Sequence, residues 1–174
     1  MIITKLEKID NERCITLDEA KAYIRVFDAD DDAVITMHIK VALDNVEQYT
    51  NRKLQLHNFE LSGDVSRCQI IDLPYGNNTV TEITANTIAL VKDVDYKMIG
   101  NNGVYFVNAN TNVVIKGTCG YQFDKVPDML RNAVLMKVGT YYECRQDVTF
   151  GVQTYKAELT SDRLMQPYVL YNQI

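Results

Sequence analysis

Val113-Val114-Ile115-Lys116-Gly117-Thr118-Cys119-Gly120-Tyr121-Gln122-Phe123-Asp124-Lys125-Val126-Pro127-Asp128-Met129-Leu130-Arg131-Asn132-Ala133-Val134 changes period in its middle, and that change decides the fold. Up to Tyr121 the run is rich in β-branched and apolar residues and reads as a strand. From Val126-Pro127 the apolar positions Leu130, Ala133, Val134, Val138, Tyr141 and Tyr142 recur at helical spacing to about Arg145, with proline at a first helical position.

Period two extends upstream from Tyr121 to Leu56. Short apolar-rich runs lie at Phe59 to Leu61, Cys68 to Leu73, Val80 to Ile83, Tyr96 to Met98 and Val104 to Val107. Pro74-Tyr75-Gly76-Asn77-Asn78 and Gly100-Asn101-Asn102-Gly103 supply residues that tolerate positive φ, so both read as turns.

Further upstream the helical period returns. Thr16-Leu17-Asp18-Glu19 is a capping box, and Leu17, Ala20 and Ile24 give the helix that follows, to about Val26, one apolar face. Phe27-Asp28-Ala29-Asp30-Asp31-Asp32 breaks it and sets acids at the start of the next helix, where the helix dipole favours them. That second helix is predicted from about Asp31 to Thr50, with Ile35, Ile39, Ala42, Val46 and Tyr49 along one stripe.

The pattern predicts an α+β fold: a small helical bundle of three main helices, a β-rich insertion between the second and third, and an extended C-terminal arm. The expected divisions are a helical body over 1–56 and 122–146, an inserted lobe over 57–121 and an arm over 147–174. The arm is polar after Asp147 and regains a short apolar cluster at Leu164 to Tyr171, with too few large side chains for a core of its own. Val148 to Tyr155 alternates enough to add as a strand to another sheet's edge.

Composition excludes several classes. The chain has 174 residues, 47% of them apolar, and at that size one domain hides roughly 70% of its unfolded surface. The 18 basic and 23 acidic residues give a net charge of -5, the wrong sign for a free-standing duplex binder. Cys14, Cys68, Cys119 and Cys144 form no C-x-x-C pair and are too sparse for a disulfide scaffold, so free thiols are expected. Met1-Ile2-Ile3-Thr4-Lys5 opens no signal peptide and no run is long and apolar enough to span a membrane, so neither export nor a membrane anchor is expected.

Chemistry-bearing motifs are equally thin. Asp28-x-Asp30-x-Asp32 starts like a calcium loop, but Ala33 stands where the loop needs glycine and Ile39 where it needs a bidentate acid, so a solvated helix cap is the better reading. His38 and His57 have no zinc-ligand spacing to the cysteines, no glycine-rich nucleotide cradle exists, and Arg52, Lys53 and Arg67 read as scattered surface cations. Neither catalysis nor a cofactor is expected. Eleven tyrosines and no tryptophan suit contact surfaces better than a sugar-binding platform.

The ordered layout resembles the head-to-tail connector (adaptor) family of tailed bacteriophages. The likeness rests on Thr16-Leu17-x-x-Ala20-Lys21-x-x-Ile24-Arg25-Val26, the acids from Asp28 to Asp32, and Ala42-x-x-x-Val46-Glu47-x-Tyr49-Thr50-x-Arg52. It continues through Leu73-Pro74, Tyr96, Gly120-Tyr121, Val126-Pro127-x-x-Leu130-x-x-Ala133 and Tyr142-Glu143-x-Arg145, covering about residues 15–146. The chain departs from the family in having Gly76-Asn77-Asn78 where a second proline is frequent, and in lacking tryptophan.

The resemblance implies a structural, non-enzymatic virion protein of the neck, assembled in the host bacterial cytoplasm. It implies a homo-oligomeric ring, a dodecamer, seated beneath the portal protein, joined to a downstream neck or tail protein, with genomic DNA passing through the lumen unbound. The arm then becomes the candidate portal contact, with Tyr155, Leu164, Met165, Tyr168, Leu170 and Tyr171 as contact residues. Competing readings are a stopper or tail-completion subunit, a small cysteine hydrolase, and a carbohydrate-binding β-module.

Overall fold

A computed structural model describes residues 1–9, 14–144 and 160–171. The fold is α+β. Chain contacts divide it into two compact units: residues 1–12, 52–122 and 170–174 form a β unit, and residues 13–51 and 123–169 a helical unit.

The β unit holds two antiparallel sheets. Strands β1 (Ile2–Lys8), β2 (His57–Val65), β8 (Asn110–Cys119), β4 (Thr79–Ala85) and β5 (Ile88–Ala89) lie side by side in that order, and β3 (Ile70–Asp72), β7 (Gly103–Phe106) and β6 (Tyr96–Ile99) make the second sheet. Period two becomes burial directly: in β8, Val113, Ile115, Gly117 and Cys119 face inward while their neighbours do not. Phe59, Leu61, Ile83 and Ala85 from the large sheet and Ile71, Val104 and Phe106 from the small one join them in a shared core.

Two glycines in this unit are required. Gly117 lies under the Phe59 ring, and a Cβ there would stand 2.9 Å from Phe59 Cζ and 2.5 Å from the Thr79 carbonyl oxygen. Gly120 has φ +93, with the space for a Cβ filled by the Gln55 carbonyl oxygen. The predicted turn at Pro74 to Asn78 does hold positive φ, at Tyr75, Gly76 and Asn77.

The helical unit contains α1 (Leu17–Ile24), α2 (Asp32–Thr50), α3 (Asp128–Glu143) and the short α4 (Ser161–Met165), which runs into a 3-10 turn at Gln166–Tyr168. The capping box is formed: the Glu19 amide donates to Thr16 Oγ1 at 3.2 Å and the Thr16 amide to Glu19 Oε2 at 2.9 Å. Glu19 also pairs with Arg131 of α3 at 2.6 Å, tying α1 to α3. Ile35, Ile39, Ala42 and Val46 of α2, Leu130, Ala133, Val134 and Val138 of α3, and Ile15, Ala20 and Met165 are buried. The small residues among them let helices approach closely; Tyr23 of α1 lies over Gly139 of α3 in the same way.

Three expectations are corrected. Residues 1–56 do not all belong with the helices, because β1 pairs with β2 from Ile2↔Ser62 to Lys8↔His57 and the chain leaves the helical unit after Asn51. Pro127 is the N-cap of α3, one position before the first helical residue. The tail is not all arm: α4 packs on α3, and Met165 is wholly buried there. Leu170 returns to the β unit beside Gly76. Residues 145–159, with the expected strand Val148 to Tyr155, lie outside the described residues.

Candidate interaction surfaces

Groups capable of chemistry are dispersed among the described residues. Among the described residues no three His, Cys, Asp or Glu side chains gather as a metal site. The acidic stretch is held by the chain itself: Lys21 Nζ donates to the Asp28 carbonyl and to Asp32 Oδ1, both at 2.6 Å, and the Tyr142 hydroxyl donates to the Asp31 carboxylate. His57 Nδ1 lies 2.8 Å from the Gln55 carbonyl, which can only accept, so that nitrogen carries the proton. His38 stacks obliquely against Tyr141 with ring centroids 6.1 Å apart.

All four thiols are free, Cys14 and Cys119 buried and Cys68 and Cys144 exposed. Burial pushes the Cys14 thiol up to about 12, against the attraction of Arg131. A brief pulse of iodoacetamide at neutral pH should therefore alkylate Cys68 and Cys144 in native protein and all four in denaturant, counted by mass spectrometry. Native labelling of Cys14 would contradict this burial.

The cations singled out in the sequence are engaged locally. Arg52 Nη1 reaches the Tyr121 hydroxyl at 3.4 Å and Lys53 sits 5.3 Å over the Tyr75 ring. Arg67 is exposed.

Apolar surface offers more than polar clusters do. On α2, Val34, Met37 and Val41 form a second, exposed stripe beside the buried one. Val34, His38 and Val41 of α2, with Tyr141 and Cys144 from α3 and its end, line an open groove of about 340 Å³. Phe27, between α1 and α2, is 87% exposed. In the β unit Ile2 and Ile3 on β1, Ile88 on β5 and Val91 and Val94 after it are also exposed. The cheapest signal for these was already in the sequence: apolar residues off the core stripe of α2, and a β-branched start at Ile2-Ile3-Thr4.

The expected contact residues do not gather in one place. Tyr171 is 83% exposed, Leu164, Tyr168 and Leu170 are half-buried, Met165 is buried, and Tyr155 lies outside the described residues. Met165 is thus withdrawn as a partner contact, because its own subunit already buries it completely.

Among the described residues, exposed apolar side chains rather than a polar cluster mark the surface of this α+β chain. Residues 14–98, from just before α1 into β6, match the model of the phage gp6-like head-tail connector protein family. No curated protein matches the sequence. Among solved structures, a chain in the neck of an empty gene transfer agent particle, computed with C6 symmetry, is 17% identical with TM-score 0.71 over 98% of both chains. A chain in the virion of the native particle gives 15% identity and TM-score 0.69 over 97% of both. A third, from the neck of the native particle computed with C12 symmetry, gives 17% identity and TM-score 0.67 over 98% of both. Among the described residues no helix is long and apolar enough to cross a membrane.

Proposed function

We propose that this protein is a head-tail connector, one subunit of a homo-oligomeric ring, a dodecamer, in the virion neck, between the portal protein and a downstream neck or tail protein. The observation that carries the reading is the connector-family match over α1, α2 and the strands up to β6. The similarity in fold to chains from a particle neck, along nearly the whole of both chains, supports it. The role is structural: two of the four thiols are sealed in cores, and Asp32 and Asp31 of the acidic stretch are engaged by Lys21 and Tyr142.

Genomic DNA would pass through the lumen without being held. Duplex DNA carries about one charge per 1.7 Å, and a basic lining would retard it. A net charge of -5 per copy, repeated around a ring, favours a conduit that does not grip. Of the tail residues, Tyr171 is the portal-contact candidate we retain first, because it has the most surface left to bury.

The test is co-sedimentation with purified portal particles, read by cryo-electron microscopy. Expected is a ring of density below the portal, and no DNA retention on filters at moderate salt. Failure to bind portal at micromolar concentration, or tight and steeply salt-dependent DNA binding, would count against this function.

A further inference from the structure

The five-stranded sheet has two unlike edges, and among the described residues both are open. On one side β1 bonds to β2 alone; among the described residues no strand covers its other edge. On the other side β5 pairs only with Thr84 and Ala85 of β4, so β4 from Thr79 to Glu82 has no strand outside it among the described residues. Native sheets normally blunt such edges, because unpaired amides and carbonyls in a row are a template for another strand.

β1 gains little from its own subunit. Its seven residues are exposed apart from Leu6, which alone packs on the core, and Ile2 is 74% exposed. Ordering such a strand costs backbone entropy that one half-buried leucine hardly offsets. At the far edge Ile88 is 70% and Val94 65% exposed, with Val91 between them. The charges complement: β1 carries Lys5 and Lys8 against Glu7, while the far edge and the turn leaving it carry Glu82, Asp93 and Asp95 against Lys92.

We infer that the outer edge of β1 in one copy pairs with the β4–β5 edge of the next, continuing the sheet from subunit to subunit. Joining opposite edges of one sheet is a head-to-tail contact, the type that propagates into a ring, whereas β1 against β1 would stop at a two-fold dimer. The inference rests on the ring reading above and names its interface.

Ladder alternation identifies the amides involved. The Ile9 amide donates to the Leu56 carbonyl, so in the antiparallel register Glu7 and Lys5 bond inward and Leu6 and Lys8 point outward. The Leu90 amide donates to the Ile83 carbonyl, which leaves Ala89 pointing outward from β5. Lys8→Pro and Ala89→Pro each delete one outward donor and spare every inward bond.

Sedimentation velocity over rising concentration reads the result. Wild type should form rings, each proline variant should remain monomeric with unchanged circular dichroism, and an equimolar mixture of the two should give dimers through the single intact junction. Rings from either variant would overturn the edge pairing while leaving the connector ring standing. Dimers from Ala89→Pro alone would replace it with β1 self-pairing. A wild type that stays monomeric at every concentration would sink ring and edge together. If a proline variant loses its fold, Lys5→Glu with Lys8→Glu, which leaves the backbone alone, should weaken association about tenfold or more at low salt; no change would overturn the pairing.

Discussion

Replacing Gly120 by alanine should cost about 3 kcal/mol or more and largely unfold the β unit at physiological temperature. Two penalties meet at this residue. Its φ of +93 is a region that side chains rarely adopt, and an added Cβ would stand 2.1 Å from the Gln55 carbonyl oxygen, backbone that no rotamer change can move aside. The neighbourhood is also bonded: the Gly120 carbonyl accepts from Asn77 Nδ2 at 2.6 Å, and its amide donates to the Gly76 carbonyl at 3.3 Å. Gly100→Ala is the control, since φ is +57 there but nothing lies within 4 Å of the new carbon. It should cost about 1 kcal/mol. Urea midpoints compare the two, and equal shifts would show that the close approach at Gly120 is unimportant.

Met165→Ala should cost about 2–5 kcal/mol, the range for emptying a buried large side chain. It is wholly buried in a five-residue helix held on the helical unit by contacts with α3 and, to a lesser extent, α2. Losing that anchor should also free α4, so deletion of residues 160–174 is expected to destabilise the unit by a similar amount. Tyr171→Ala is the contrasting change. Under the portal-contact proposal it should leave the melting temperature unaltered and weaken portal binding. A Met165→Ala protein that melts like wild type would return the whole tail to the status of an arm.

What the sequence disclosed follows the range of the interactions concerned. The capping box at Thr16, the stripe from Ile35 to Val46 and the run from Leu130 to Val138 are decided by neighbours three or four residues away, and they stand where the pattern put them. The exposed two-residue β5 was missed, while the strands between His57 and Cys119 were legible where their inward residues bury a shared core. β1 was not, because a strand exposed on both faces need not alternate, and its partner begins at His57. Nor was the burial of Met165, since a five-residue helix carries too short a period to declare a face, and tertiary packing decides it. The exposed apolar surfaces were legible only in part: Val41 lies off the core stripe of α2, whereas Phe27, in the break between two helices, belongs to no period that declares its exposure.

Chain order has a kinetic consequence. The helical unit is interrupted by residues 52–122, and the β unit by residues 13–51. On the ribosome β1 must wait for β2, β2 must wait for β8, and α2 must wait for α3. Neither unit can finish before most of the chain has emerged, so closure should come late and nearly together, through contacts of long sequence separation that fold slowly. Until then the edges of β2 and β4 and the apolar side of α2 stay uncovered. Synthesis in a cell making many copies at once would therefore favour folding at low local concentration, with self-association deferred until each subunit has closed.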